Sequence, residues 1–89
     1  MADSFWGMDP DSVLKFGTEV SAEADKITAI AKLLGGKVNS LPWKGADATY
    51  FKNNWDSTYE KNLNAVSKAL DGLAAEAKSE ATAQKQASA

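Results

Sequence analysis

The 89-residue sequence predicts an all-α fold in which two long helices and a short turn form an antiparallel hairpin. Glycine and proline are scarce, six and two residues, while alanine and lysine, which favour helices, are frequent. Apolar residues recur at helical spacing on both sides of a single mid-chain break. That break, SLPWKGAD, combines a proline that ends a helix with a glycine that permits a turn. Two helices joined by so short a turn must run antiparallel.

The first helix is predicted over about residues 9–40. Asp9 precedes Pro10, which disfavours helical backbone at Asp9 and makes it a good N-cap. Pro10 fits the first helical position, where its missing N–H group costs nothing. The glycine pair at 35–36 weakens a helix by roughly 1 kcal/mol per glycine. Since the apolar pattern continues beyond the pair, we expect the helix to continue through it.

The other boundaries all lie within one predicted domain covering residues 1–89. They are an arm at residues 1–8, a turn at 41–45, a second helix over about 46–81 and a flexible tail at 82–89. The arm contains Phe5 and Trp6, which either pack on the helices or form an exposed patch.

Large and small residues alternate along one side of the first helix. Val13, Val20, Ile27, Leu34 and Leu41 recur every seven residues, and Gly17, Ala24, Ala31 and Val38 follow four residues behind them. This alternation lets a second helix approach closely. The predicted apolar seam consists of Val13, Phe16, Val20, Ile27, Ile30, Leu34, Phe51, Trp55, Tyr59, Leu63, Val66, Leu70 and Leu73. Because a lone hairpin covers only one side of each helix, we expect two hairpins to dimerise into a four-helix bundle.

The composition argues against several classes of function. The chain has no histidine and no cysteine, so the usual general base and the thiolate and imidazole metal ligands are missing. Asp56 and Glu60 lie one turn apart, but a solvated face explains them better than a catalytic pair. A net charge of −2 without any arginine disfavours nucleic-acid binding. We therefore expect no enzyme activity, no cofactor, no metal, no nucleic-acid partner and no stable membrane insertion.

Trp43 and Gly45, separated by one residue in the predicted turn, carry a resemblance to a known family. In the segment PWKGADATYFKNNW they are followed by Asp47, Ala48, Phe51 and Trp55. This segment, between two long helices in a chain of about one hundred residues, resembles the WXG family of small ESAT-like proteins (named for the early secreted antigenic target). The arm FWGMD and the tail QKQASA are similar to those of actinobacterial members.

The resemblance implies a helical hairpin that dimerises and leaves the cell through a type VII (ESX) secretion system. It implies pairing with itself or with a sister WXG-type protein, handling by the type VII secretion ATPase, and an extracellular location without a cleaved signal peptide. The N-terminal sequence agrees, since it lacks the basic and apolar regions of such a signal.

One feature of the family's export signal, a tyrosine followed four residues later by an acidic residue, is not found in this sequence. Tyr50 is followed at that spacing by Asn54, and Tyr59 by Leu63. Either the partner supplies this element, or another feature of the tail is recognised, or the chain is not exported alone.

Two other functions compete with secretion. One is an intracellular helical adaptor that captures a partner helix and is unrelated to secretion. The other is membrane-surface activity of an amphipathic helix, which the acidic charge balance disfavours.

The residues around the turn also allow alternatives. Trp43 either packs over the end of the helices or displays its ring to the secretion machinery. Gly45 is explained better by a backbone requirement than by a contact. Phe51, Trp55 and Tyr59 share one helix face, which indicates core packing rather than ligand binding.

Overall fold

A computed structural model of the chain describes the backbone of residues 9–88 and the side chains of residues 9–87. The described residues form helices and contain no strand, which confirms the all-α class. The elements are α1 (Pro10–Asn39), α2 (Ala46–Asn54), a π-helical turn (Trp55–Tyr59) and α3 (Glu60–Ser88). The predicted arm at residues 1–8, with Phe5 and Trp6, lies outside the described residues.

Helix α1 begins at the predicted cap. The backbone N–H of Asp11 donates to Oδ1 of Asp9 at 3.2 Å, and the Ser12 hydroxyl donates to Oδ2 of Asp9 at 2.8 Å. The Asp9 carboxylate thus satisfies an N–H group that has no partner within the helix. The helix continues through Gly35 and Gly36, as the apolar pattern predicts, and ends at Asn39.

The second helical segment starts at Ala46, as predicted, but differs from the prediction further along. A π-helical turn separates α2 from α3, and the N–H of Glu60 donates to the carbonyl of Trp55, five residues earlier. The predicted helix end near residue 81 is wrong, because α3 continues to Ser88. Residues 81–88 are mostly alanine, glutamine and lysine, which favour helix. The Ala81 side chain is fully buried, and Lys85 Nζ lies 2.7 Å from Asp11 Oδ1.

The chain divides into two compact units, each built from an antiparallel pair of helical segments. The turn unit is Ala24–Lys68, and the terminal unit combines Met1–Glu23 with Ala69–Ala89. In the turn unit Ala24 and Thr28 contact Ser67, while Gly35 lies against Trp55 and Glu60. In the terminal unit Gly17 lies against Ala74 and Lys78, and Asp11 pairs with Lys85.

Small residues fill the contact between the helices in both units. We call this contact the small-residue interface; its members are Gly17, Ala74 and Ala81 in the terminal unit and Ala24, Ala31, Gly35 and Ser67 in the turn unit. All of them are buried. Among the described residues no large side chain is fully buried. The helices therefore approach closely, and the large apolar side chains lie beside the contact rather than inside it.

Candidate interaction surface

The large apolar side chains of the turn unit remain substantially exposed. Ile30 is 49% exposed and Leu34 38% on α1, while Tyr59 is 51% and Val66 49% exposed further along the chain. Ile27 and Leu63 are half-buried. Single exposed apolar residues are ordinary on protein surfaces, but a contiguous group indicates an interaction site.

Helix geometry places these residues on one face of the turn unit. An α-helix turns by about 100° per residue. Measured around the axis of α1 in the direction in which the helix winds, the small-residue interface lies about 60–120° beyond Ile27, Ile30 and Leu34. On α3, Leu63 and Val66 precede it by about 40–100°. The two helices are right-handed and run antiparallel. Side chains that lie before the small-residue interface in the winding direction of each helix therefore fall on the same face of the pair. We call this face the apolar face of the turn unit: Ile27, Ile30, Leu34, Tyr59, Leu63 and Val66.

The opposite face of the turn unit is polar. By the same geometry, side chains that follow the small-residue interface lie on the other side of the helix pair, and these are Asp25, Lys32, Lys61 and Lys68. All four are exposed. The helix pair of the turn unit is therefore two-sided, and only one of its sides is apolar.

The terminal unit repeats this pattern with fewer residues. Phe16 is 49% and Leu73 43% exposed, while Val20 and Leu70 are half-buried. These four residues form the apolar face of the terminal unit, and they precede the small-residue interface on their helices. With the areas typical of such side chains, the exposed apolar surface is on the order of 500 Å² in the turn unit and about 300 Å² in the terminal unit. A stable protein interface buries about 800 Å² on each partner.

The connection between α1 and α2 brings Trp43 against Phe51, with ring centroids 5.5 Å apart. Trp43 is nevertheless 43% exposed, so its ring both packs and remains accessible. Lys52 Nζ donates to the carbonyls of Leu41 and Trp43 at 3.3 and 3.5 Å, which holds the connection against α2. Gly45 has a φ of +112°, which favours glycine, although a Cβ there would meet nothing within 4 Å. Gly45 therefore serves the backbone rather than a crowded contact.

The aromatic residues predicted as one core stripe have different environments. Trp55 is half-buried, and its Nε1 is buried without a hydrogen-bond partner. A Cβ on Gly35 would lie 3.2 Å from that nitrogen, so the glycine makes room for the indole. Phe51 and Tyr59 are 40% and 51% exposed, with the Tyr59 ring 6.3 Å from that of Trp55. The structure thus packs one of the three against α1 and leaves the other two accessible.

A pair of hydroxyl groups in the small-residue interface escaped the sequence analysis. Ser67 is 5% exposed, and its hydroxyl donates to the Ala24 carbonyl at 2.8 Å. Because that hydrogen bond uses the single hydroxyl proton of Ser67, the Thr28 hydroxyl, 2.7 Å away, donates to Ser67 Oγ. The sequence pattern that could have predicted the buried position of Ser67 is the spacing of Ser67, Ala74 and Ala81 at intervals of seven.

Residues 9–88 contain no pocket and no group of three or more acidic side chains placed to hold a metal ion. No described helix is long and apolar enough to cross a membrane. Comparison with protein-family models, curated proteins and solved structures found no match to the chain.

Proposed function

We propose that this chain is a non-catalytic pairing protein whose apolar faces are covered by a second helical hairpin in a four-helix bundle. The observation that carries the proposal is the exposure of large apolar side chains on one face while small residues fill the contact between the helices. Burying that face against another hairpin removes it from water at about 25 cal/mol per Å², the main driving force of association. Bundles of four helices bury such faces in their centre.

We also propose that the protein is secreted through a type VII (ESX) system without a cleaved signal peptide and acts outside the cell by binding proteins. The support is the resemblance of the segment around Trp43 and Gly45 to the WXG family. An exposed Trp43 ring and a Gly45 backbone with positive φ are compatible with a displayed turn. The partner in this proposal is the chain itself or a sister WXG-type protein, and the secretion ATPase drives export.

Pairing is tested by two adjacent leucines on α1. Leu34 belongs to the apolar face of the turn unit, whereas Leu33 is 59% exposed and points away from the second helix. Leu34→Gln should weaken dimerisation at least about tenfold, because a two-fold dimer loses the burial of two leucines. Leu33→Gln, the matched control, should change the dissociation constant by less than about threefold. Light scattering across a concentration series measures both, with circular dichroism to verify helicity.

Equal effects of the two substitutions would count against the apolar face as the pairing surface. A selective loss of dimerisation in Leu34→Gln would also be expected if Leu34 acted only within its own hairpin, and the helical melting of the Leu34→Gln chain separates that case from a lost interface.

Export is tested in the native host by deleting the type VII secretion ATPase. The protein should then accumulate in the cell and disappear from the culture medium, while an unrelated protein with a cleaved signal peptide should reach the medium as before. Unchanged levels in the medium would contradict type VII export. Absence from the medium of wild-type cells, with a stable partner unrelated to the WXG family, would favour the intracellular adaptor instead.

A further inference from the structure

The backbone between α1 and α2 makes a tight turn around Pro42. The N–H of Trp43 donates to the carbonyl of Leu41 at 2.8 Å, which closes a three-residue turn with Pro42 at its centre. Proline suits that position, because its ring fixes φ near about −65° and it has no N–H group to leave unpaired. The N–H of Leu41 donates to the carbonyl of Val38 at 3.3 Å. These two hydrogen bonds connect the turn to itself and to α1, and neither reaches α2.

Lys52 connects the same turn to α2. Its Nζ donates to the carbonyls of Leu41 and Trp43, which are the first and last residues of the turn, at 3.3 and 3.5 Å. An ammonium group has three donors, so it can bridge two carbonyl oxygens. The Lys52 side chain is half-buried, as expected when its stem lies along the protein and its charged end reaches back over the turn. Lys52 therefore fixes both ends of the turn relative to α2.

The residue before Lys52 holds the other part of Trp43. The Phe51 ring lies against the Trp43 ring, with the two planes tilted by 46°. Two consecutive residues of α2 thus contact the same tryptophan, Phe51 through its ring and Lys52 through its backbone carbonyl. The Trp43 ring nevertheless remains 43% exposed. These contacts hold the ring in one position without burying it.

We propose that Lys52 is a positioning residue for Trp43: it holds the turn so that the half-exposed indole already has the position in which a partner contacts it. Tryptophan is enriched among the residues that contribute most to protein binding, and a group that is ordered before binding loses less entropy on binding. The inference rests on the proposed export function, in which the partner that contacts the turn is the secretion machinery.

The order of Trp43 in solution tests this role directly. Lys52→Met removes the ammonium group but keeps an unbranched side chain with a similar helix propensity. NMR nitrogen relaxation should give order parameters of about 0.85 for the Trp43 backbone and indole N–H groups in the natural chain, and below about 0.6 in Lys52→Met. Lys52→Arg, which keeps a charged donor, should preserve the order of Trp43.

The matched control is Lys61→Met, which removes an exposed lysine from the same unit and should leave Trp43 ordered. A rigid Trp43 in Lys52→Met would overturn the inference, and so would a mobile Trp43 in the natural chain. Circular dichroism should show unchanged helicity and a melting temperature within about 5 °C of the natural chain for Lys52→Met. Loss of helicity would show that Lys52 supports the helices rather than the turn, which would also contradict the proposed role.

Export measures the consequence for function in the native host. Lys52→Met should lower the ratio of protein in the medium to protein in the cells at least about threefold. The reason is that a ring which occupies the recognised position only part of the time binds with an apparent affinity reduced by that fraction. Lys52→Arg and Lys61→Met should both stay within about twofold of the natural chain. Unchanged export of Lys52→Met, or an equal loss in Lys52→Arg, would overturn the inference.

Failure of the proposed function gives a different result. If export of the natural chain does not depend on the type VII secretion ATPase, the proposed function fails whatever the Lys52 variants do. The order of Trp43 in Lys52→Met then decides whether Lys52 holds the ring, because that measurement requires only the purified protein.

Discussion

Glycine has different roles at adjacent positions of α1. A Cβ on Gly35 would lie 3.1 Å from Glu60 Oε2 and 3.2 Å from Trp55 Nε1, whereas a Cβ on Gly36 would meet nothing within 4 Å. The sequence predicted one effect for both glycines, a weaker helix, because the indole that packs on Gly35 comes from a segment twenty residues later. Only the structure separates a glycine required by packing from one that is not.

Alanine substitutions at the two glycines should therefore have opposite effects. Gly36→Ala should raise the free energy of unfolding by about 1 kcal/mol, since alanine favours helix and has free space there. Gly35→Ala should lower it by about 1 kcal/mol, because Trp55 and Glu60 must move to admit the methyl group. Urea unfolding followed by circular dichroism measures both. If Gly35→Ala instead raised the free energy of unfolding, the packing of the Trp55 indole would not depend on the absence of a side chain at residue 35.

At the scale of elements, the start of α1 was predictable and the shape of the second helical segment was not. The Asp9–Pro10 cap is local chemistry, so the sequence contains all of it. The π-helical turn depends on tertiary packing, although its signal was present. Phe51, Trp55, Tyr59 and Leu63 are spaced by four residues each, which would rotate them by about 120° around a regular α-helix. The wider π turn at Trp55–Tyr59 absorbs that drift.

Deleting the exposed Ser57 should convert the π turn into regular α-helix without loss of the fold. The aromatic spacing becomes four, three and four, which an α-helix places on one face. We expect a melting temperature within about 5 °C of the natural chain, corresponding to less than about 1 kcal/mol.

The control is deletion of Asn64, which is also exposed but lies within regular α3. It rotates Ser67, Ala74 and Ala81 by about 100° relative to Trp55 and Glu60, and so removes the small residues from the interface. Cooperative melting should be lost. If both deletions unfold the chain equally, Ser57 is not an extra residue that the π turn accommodates within an otherwise regular helix.

At the scale of the whole molecule, the alternation of large and small residues predicted a closely packed helix pair. It did not show whether the row of small residues or the row of large residues forms the contact between the two helices of one chain, because both rows are apolar. In the structure Ala24, Ala31 and Gly35 are buried, while Ile30 and Leu34 remain exposed. The predicted apolar seam therefore contains mostly residues that lie beside the intramolecular contact. The total charge of −2 likewise concealed the opposite charges of the two units, which are +3 over Ala24–Lys68 and −5 over the rest of the sequence.

This arrangement has a cost for an isolated chain. Among the described residues, those buried between the helices are alanine, glycine and serine, which bury little apolar area. The residues able to contribute most to stability, such as Ile30, Leu34 and Val66, leave two fifths to one half of their surface in water. Folding and association should therefore be coupled, as in obligate homodimers.

The most direct test is the mass of the purified natural chain in solution, measured by light scattering at micromolar concentration together with its thermal unfolding. We predict twice the chain mass and a melting temperature that rises with protein concentration, because dissociation accompanies unfolding. A monomer that is helical, melts cooperatively and keeps the same melting temperature at every concentration would contradict the central claim that the apolar faces require a second hairpin.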